Sequence, residues 1–176
     1  MQLRFPAEQV SDWASRYSYP RPDGYLSSVI APTVQRQGFY TKPQLLEVCR
    51  WKSPRSAPNA EDNDESLVKE VTGIALSTHN ERLRIEVLTL LAGVGWPVAS
   101  TLLHFVRPEY PILDVRALWS LGRTVAQHQH NFALWSEYVS TCQRTAAAQG
   151  VSLRTLDKAL WQYSKENQPN LTDDDG

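Results

Sequence analysis

Apolar residues recur along most of the chain at spacings of three and four residues, the period of a helix with one buried face. No segment shows sustained alternation of apolar and polar residues, and no repeat of about 20 to 50 residues is present. We therefore predict an all-α protein with eight to ten helices. The predicted helices lie at residues 6–17, 25–38, 42–51, 66–77, 80–91, 132–149 and 152–166, with two more after Gly95 and after Asp114.

Local signals mark several helix ends. Thr41 and Gln44 have the spacing of a capping box, and Asn80 is suited to cap the helix that follows it. Gly150 is expected to end a helix, because glycine readily adopts the left-handed conformation found at helix C-termini. Pro32 is expected to kink or split its helix, because proline removes a hydrogen bond from a helix interior.

Length and composition narrow the class of protein. The chain has 176 residues, of which 41% are hydrophobic, enough for one domain of ordinary size or for two small lobes that share a core. No apolar run reaches the roughly 18 residues that span a bilayer, and residues 1–12 lack the apolar core of a signal peptide. Cys49 and Cys142 each stand alone, which argues against an iron–sulfur cluster or a structural zinc site. We expect a soluble, cytoplasmic monomer with no membrane partner.

Charge is unevenly distributed along the chain. The formal net charge is -1, yet residues 1–58 carry eight Lys or Arg against four Asp or Glu, whereas residues 59–75 carry one against five. Residues 56–65 are predicted to form a polar, acidic loop, and residues 169–176 a disordered acidic tail. Without the acidic segment and the tail, the remaining chain has a charge of about +6, which permits a basic face for nucleic acid.

The basic segment at residues 50–55 has two interpretations. Its cations and Trp51 have the chemistry to grip phosphates or to stack on a base. The same residues are also typical of a helix end, where cations complement the helix dipole. The sequence leaves both interpretations open.

Residues 90–122 carry the most informative pattern. Gly93 and Gly95 flank Val94, so the backbone can turn sharply there and its amides can approach an external oxygen without interference from a Cβ atom. A second helix and a connection bounded by prolines follow, and Asp114 then stands at the start of a third helix. The pattern predicts phosphate binding at the two glycines.

This stretch resembles a known family of DNA-repair enzymes. Leu91-Ala-Gly93-Val-Gly95 with Ala99 and Leu102-Leu103 resembles a helix-hairpin-helix motif. With Tyr110-Pro-Ile-Leu-Asp114 added, it is similar to the helix-hairpin-helix/Gly-Pro-Asp superfamily of DNA glycosylases, which includes endonuclease III and adenine glycosylase. The local resemblance covers residues 83–122, and residues 156–161 resemble the helix that closes the catalytic lobe.

The resemblance implies a fold and a partner. The fold is all-α and compact, a single domain over residues 1–168 with two helical lobes, the hairpin at residues 83–106, and a cleft between the lobes for DNA binding and catalysis. The first 60 residues would supply helices to the second lobe. The partner is double-stranded DNA with one base flipped out of the helix, and no iron–sulfur cluster or other cofactor is required.

Asp114 is the catalytic carboxylate that the resemblance implies. Loss of a base builds positive charge on the sugar, and a carboxylate about 4 Å away stabilises that charge by on the order of 4 kcal/mol, roughly a thousandfold in rate. An Asp directly before a helix is also an ordinary N-cap. The two roles are compatible, because a cap holds the carboxylate in one orientation.

One departure from the family defines the predicted subtype. Family members that also cut the strand carry a Lys two residues after the second hairpin glycine, where this chain has Pro97. Without that amine a Schiff base with the sugar is disfavoured, and base excision by water at C1′ is expected instead. Trp96 and Trp119 replace polar or basic residues of the family, while Arg116 stands two residues after Asp114.

Further site residues follow from the resemblance or from residue type. DNA contacts are expected at Gly93, Gly95, Trp96 and Arg116. Base-pocket candidates by residue type are Tyr40, Trp51 and Trp161, although a tryptophan at helical spacing is also typical of a core. The family further implies a monovalent cation held by the backbone carbonyls of Thr89, Leu91 and Val94.

The leading hypothesis is therefore a monofunctional DNA N-glycosylase that excises a damaged or modified base. The alternative is a non-catalytic helix-hairpin-helix protein that binds DNA, and a third interpretation is a helical interaction protein without affinity for DNA. The sequence does not identify the excised base.

Overall fold

The computed structural model describes residues 1–169, apart from the side chain of Gln127, and these residues are all-α as predicted. Most of the predicted acidic tail lies outside the described residues. The described chain contains nine α-helices and no strand. The helices are α1 (Val10–Ser15), α2 (Ala31–Gln37), α3 (Lys42–Lys52), α4 (Glu65–Ser77), α5 (Glu81–Glu86), α6 (Trp96–Val106), α7 (Val115–Ser120), α8 (Phe132–Gln149) and α9 (Leu153–Asn167).

The predicted helix ends are confirmed where a local signal marked them. The backbone N–H of Thr41 donates to Oε1 of Gln44 at 2.8 Å, as a capping box requires. Oδ1 of Asn80 accepts two backbone N–H groups of α5, each at 3.0 Å. Gly150 follows α8 with a φ of +64°, in the left-handed region. Pro32 is the second residue of α2, directly after a π-helical turn at Leu26–Ile30, so the helical backbone is continuous and changes from π to α hydrogen bonding just before the proline.

The described chain divides into two compact units. One unit contains Met1–Pro20 and the described residues from Pro108 onward, and the other is Arg21–Arg107. The first 60 residues, which were expected to supply helices to a single lobe, are therefore divided between the two units after Pro20. The apolar face of α1 is aromatic and packs on α9, with the rings of Trp13 and Tyr163 5.1 Å apart. A helical pattern predicts that a face is buried but not which helix covers it.

Helices α1, α7, α8 and α9 form the first unit. Its interior is built from large buried side chains of three of them, namely Leu118, Trp135, Tyr138, Leu156 and Leu160. The N-terminal segment covers the last turn of α7, where the N–H groups of Gln2 and Arg4 donate to the carbonyls of Leu121 and Ser120 at 3.0 and 2.9 Å. Helix α7 is thereby held at both ends, which fixes the position of Asp114 at its start.

His130 gives this unit a predicted pH dependence. The ring is buried and neither nitrogen has a hydrogen-bond partner among the described residues. Burial lowers the pKa of His130 below its ordinary value of 6.5. The unfolded chain therefore binds the proton more readily, so the stability due to neutral His130 is complete above about pH 6.5 and is lost as the pH falls from there through the pKa of the folded state.

We expect the free energy of unfolding to fall by about 1 kcal/mol between pH 7 and pH 5.5, and the fall to be smaller in His130→Phe, which keeps a ring but does not titrate. Urea unfolding at each pH measures the difference. His128→Phe is the control, since that side chain is exposed two residues away. Equal pH dependence in the wild type and in His130→Phe would contradict the assignment.

Helices α2 to α6 form the second unit. Its interior contains buried apolar residues from each of them, including Val34, Leu45, Val71, Ile85 and Leu102. Helical spacing predicts an inward position for Leu67 and Ile74 on α4, yet both side chains are exposed. They lie at the edges of the apolar stripe, and only Val68, Val71, Thr72, Ala75 and Leu76 of this helix are buried.

The predicted acidic loop at residues 56–65 is also wrong in part. Residues Ala57–Asp62 form a 3₁₀ helix, in which Ala57 and Ala60 are buried, and Asn63 directly after it is buried as well. The acidic side chains dominate the composition of this segment, but two small alanines allow its backbone to approach its neighbours closely. One side of the segment therefore packs into the second unit, while its acidic side chains stay exposed.

Both cysteines are buried free thiols. Burial raises the pKa of Cys49 to about 12 and raises the pKa of Cys142 further. Within residues 1–169, no group of three His, Cys, Asp or Glu side chains is placed to hold a metal ion. No helix in this part of the chain is both long enough and apolar enough to cross a membrane.

Candidate functional site

Residues 91–95, called the glycine turn below, connect α5 to α6 in the second unit. Helix α5 continues into a 3₁₀ helix at Val87–Leu90, and the N–H of Val94 then donates to the carbonyl of Leu91 at 3.1 Å. Gly93 is the third residue of this four-residue turn and has a φ of +74°. A type II turn requires a positive φ at this position, so the sequence places glycine where the backbone needs it.

The two glycines of the turn have different surroundings. A Cβ atom on Gly93 would lie 2.7 Å from the backbone nitrogen of Ala60 and 2.8 Å from the carbonyl oxygen of Ser56. At the exposed Gly95 the nearest atom to an added Cβ is Cδ of Pro97, at 3.8 Å. Gly93 is therefore needed for internal packing, and Gly95 is the glycine that leaves room for an external group.

The buried side chain of Asn63 holds the glycine turn on its inner side, a role that the sequence did not reveal. Its Oδ1 accepts the N–H of Ala92 at 2.8 Å, and its Nδ2 donates to the carbonyl of Ala92 at 2.9 Å. The side-chain amide thus pairs with both backbone groups of one turn residue, as a neighbouring strand would. Nδ2 also donates to the carbonyl of Ala60 at 3.0 Å, which joins the turn to the 3₁₀ helix.

We expect Asn63→Ala to lower the free energy of unfolding by about 1–3 kcal/mol, because it removes a buried amide and three hydrogen bonds. Asn59→Ala is the matched control, since Asn59 is an exposed residue of the same 3₁₀ helix. Urea unfolding of the two variants measures the difference. Equal stability of both would show that the Asn63 bonds do not hold the turn.

The predicted cation ligands also lie in or beside this turn. The carbonyl of Leu91 already accepts the N–H of Val94, so a cation there would have to share this oxygen with the bond that closes the turn. Thr89 is in the 3₁₀ helix that leads into the turn, and Val94 is buried. Trp96 is half-buried at the first position of α6, and Pro97 stands at the second. No amine occupies the position of the family's lyase Lys.

Asp114 is the N-cap of α7 in the first unit. Its Oδ1 accepts the backbone N–H of Arg116 at 2.7 Å, and the residue is only 4% exposed. The preceding residues Pro111, Ile112 and Leu113 are buried too. The predicted cap is therefore present, and it holds one carboxylate oxygen in a fixed orientation inside the unit.

Tyr138 of α8 anchors the segment that carries Asp114. Its hydroxyl donates to the carbonyl of Ile112 at 2.7 Å. Burial, followed by the nearby charges of Asp157 and Asp114 among others, raises the pKa of Tyr138 well above its ordinary value, so the phenol remains neutral. The helical pattern of residues 132–149 predicts a buried face but gives no signal for this partner of Tyr138.

Arg116 does not present its charge at the surface. The residue is 1% exposed, and its guanidinium carbon lies 5.4 Å from the ring centroid of Trp161 on α9. To reach a DNA phosphate, this side chain would have to leave the interior of the unit. The structure instead brings together Asp114, Arg116 and Trp161, three of the residues singled out from the sequence.

Two further rings and one more cation surround Trp161. The rings of Tyr17 and Tyr19 pack edge-on against it, at centroid distances of 5.3 and 5.2 Å, and the ammonium of Lys165 lies 5.2 Å from its centroid. We call Tyr17, Tyr19, Arg116, Trp161 and Lys165 the Trp161 cluster. All its members belong to the first unit.

The other two base-pocket candidates are core residues of the second unit. The hydroxyl of Tyr40 donates to the carbonyl of Leu102 at 2.7 Å, and burial raises the pKa of Tyr40. Trp51 donates its indole N–H to the carbonyl of Arg21 at 2.9 Å and packs edge-on against Phe105. Both side chains are packed in the interior of their unit. For Trp51 this is the core position that is typical of a tryptophan at helical spacing.

Trp119 is likewise engaged inside the first unit. Its ring stacks with Tyr163 at a centroid distance of 5.8 Å, and the guanidinium of Arg4 covers it at 4.6 Å. Trp119 is therefore a packing residue of the first unit.

Comparison of the chain with protein-family models, with curated proteins and with solved structures gives no match.

Proposed function

We propose that this chain is a monofunctional DNA N-glycosylase of the helix-hairpin-helix/Gly-Pro-Asp superfamily, with Asp114 as its catalytic carboxylate. The observation that carries the proposal is the buried, oriented carboxylate of Asp114 at the start of α7, about 20 residues downstream of the glycine turn. A carboxylate held in this way can stabilise positive charge on a sugar without reorganising during the reaction.

The proposed reaction is hydrolysis of the bond between C1′ and the base. The bonding electron pair leaves with the base, and the oxocarbenium-like sugar is stabilised by the Asp114 carboxylate. Water then adds its oxygen at C1′ and releases a proton, so the products are an abasic site and the free base. Pro97 supplies no amine for a Schiff base, which favours this route over strand cleavage.

The glycine turn would hold the DNA backbone in this proposal. Gly95 is exposed and has space beside it, so a phosphate oxygen can approach the backbone at the start of α6. If the family's monovalent cation is bound, the carbonyls of Thr89, Leu91 and Val94 would hold it, and its charge would favour a phosphate at the turn. Gly93 and Asn63 would support the turn from inside.

Incubation of the purified protein with duplex oligonucleotides, each carrying one modified base, tests the proposal. We expect at least one base to be released, with strand breaks appearing only after alkali treatment. Strand cleavage without alkali would contradict the monofunctional assignment. Binding of DNA without release of any base would instead favour the non-catalytic DNA-binding alternative, and failure to bind DNA at low salt would favour an interaction protein.

A further inference from the structure

A groove of about 440 Å³ lies in the first unit between the N-terminal segment and the second half of α8. Leu3 and Phe5 give it an apolar side. The same segment is held in place by the backbone N–H groups of Gln2 and Arg4, which are bonded to the last turn of α7. Small-molecule sites usually occupy clefts of roughly 300–1,000 Å³, so this groove is large enough for a small organic ligand.

The α8 side of the groove carries polar side chains that have no partner in the described part of the chain. The lining residues of α8 recur every three or four positions, so they lie on one face of the helix: Thr141, Arg144, Thr145, Ala148 and Gln149. No ion pair or side-chain hydrogen bond joins any of the four polar members to another described residue. This helix face can therefore bond to a ligand without breaking a bond within the described chain.

Thr141 has a buried hydroxyl without a hydrogen-bond partner. The residue is 5% exposed, and its Oγ1 bonds to no other atom of the described residues. Two other buried threonines in helices, Thr72 and Thr101, each donate to the carbonyl four residues earlier, at 2.7 and 2.8 Å. An unpaired buried hydroxyl destabilises the folded state. Because threonine has two accessible χ1 rotamers in a helix, the hydroxyl of Thr141 can turn to an acceptor in the groove, and such an acceptor would complete its hydrogen bonding.

Arg144 is the one charged side chain among the described residues that line the groove. Glu137, the acidic residue of α8, pairs instead with Arg123 at 2.8 Å. Glu8 follows the lining residue Ala7 in the chain but makes no ion pair with Arg144. The exposed guanidinium of Arg144 is therefore available to an anion from solution.

We propose that this groove binds a small monocarboxylate with an apolar chain. The carboxylate pairs with the guanidinium of Arg144 and accepts the hydroxyl of Thr141, and the chain lies against Leu3 and Phe5. The inference goes beyond the proposed function, since the groove contains neither Asp114 nor any residue of the glycine turn. Its test requires no DNA, so a negative result would leave the glycosylase proposal standing.

The charge and the surface of the groove together favour this class of ligand. A guanidinium binds a carboxylate through two parallel hydrogen bonds, and the single charge of Arg144 matches that of a monocarboxylate. A phosphate dianion would find no second cationic side chain among the described residues that line the groove. Each CH₂ group that the apolar side fully buries adds about fourfold in affinity, so an acid with a chain should bind more tightly than acetate.

Isothermal titration calorimetry with octanoate as the probe tests the proposal. We expect one octanoate to bind per chain, at least about tenfold more tightly than octanamide, which has the same chain without the charge, and than acetate, which has the charge without the chain. Equal affinity for octanamide would show that no ion pair forms. Tighter binding of inorganic phosphate would assign the groove to phosphate instead. Either result, or no binding of octanoate at millimolar concentration, would overturn the proposal.

Arg144→Gln tests the ion pair at an exposed position, where the substitution should not disturb the core. We expect its affinity for octanoate to fall about tenfold or more, while its affinity for octanamide stays within about twofold of the wild type. Arg16→Gln is the matched control, because it removes one exposed arginine of the same unit that does not line the groove. If Arg144→Gln binds octanoate as tightly as Arg16→Gln does, Arg144 is not the carboxylate partner and the proposal fails.

Thr141→Val separates ligand binding from a structural role of the hydroxyl. Valine has nearly the same shape, so the variant removes an unpaired polar group without leaving a cavity. We expect the urea midpoint of the protein without octanoate to rise, and the affinity for octanoate to fall about threefold or more. A lower midpoint together with wild-type affinity would show that the hydroxyl serves the fold, and would overturn the assignment of Thr141 to the ligand.

Discussion

Replacing Asp114 by Asn is expected to lower the rate of base release roughly a thousandfold while leaving the fold and DNA binding intact. The Asp114 carboxylate is proposed to lower the free energy of the oxocarbenium-like state by on the order of 4 kcal/mol. The amide that replaces it has no net charge and cannot provide this stabilisation. Asn is as good an N-cap as Asp, so the bond to the N–H of Arg116 can persist through its own Oδ1. Single-turnover rates of base release measure the effect.

The matched controls for Asp114→Asn separate charge from capping. Asp114→Ser keeps a capping oxygen without a carboxylate, so it should lose as much activity as Asp114→Asn. Asp12→Asn removes an exposed carboxylate in the first turn of α1, in the same unit, and should leave the rate unchanged. A residual rate above about a tenth of the wild type in Asp114→Asn would refute the proposed catalytic role.

Local signals in the sequence predict a structural feature correctly where the contacts that form it lie within a few residues. Thr41 with Gln44, Asn80, Gly150 and Asp114 each hold a helix end through atoms only a few residues away, and all four sites are found as predicted. Such hydrogen bonds depend on spacing along the chain, which a sequence displays directly.

Partners from distant parts of the chain could not be predicted in this way. Asn63 looks like a loop residue, but its amide pairs with Ala92, and Tyr138 looks like an ordinary core residue, but its hydroxyl holds Ile112. Arg116 was predicted to contact DNA because of its charge, yet tertiary packing places it over Trp161. In each case the residue type was informative and the partner depended on the folded chain.

In the glycine turn, the backbone conformation depends on neighbouring residues, whereas the packing depends on a distant part of the chain, residues 56–60. The sequence predicted the same phosphate-binding role for Gly93 and Gly95. The structure assigns Gly93 to contact with the backbone of Ser56 and Ala60 and leaves Gly95 open. The two positions should therefore respond differently to the same substitution.

Gly93→Ala is expected to lower the free energy of unfolding by more than about 2 kcal/mol, whereas Gly95→Ala should change it by less than about 0.5 kcal/mol. An alanine at Gly93 would combine a φ of +74° with contacts of 2.7 and 2.8 Å to backbone atoms, while one at Gly95 meets only ordinary contact. Urea unfolding of the two variants measures this difference, and equal stability would contradict the assignment of Gly93 to internal packing.

Gly95→Glu then tests the external role in a variant expected to fold. The added carboxylate would lie where a phosphate is proposed to approach, so we expect the affinity for duplex DNA at low salt to fall about tenfold. Gly24→Glu is the matched control. Gly24 belongs to the same unit as Gly95 and also has open space around it, so the variant adds the same charge away from the glycine turn. If Gly95→Glu binds DNA no more weakly than Gly24→Glu, the glycine turn is not the phosphate contact and the DNA-binding part of the proposal fails.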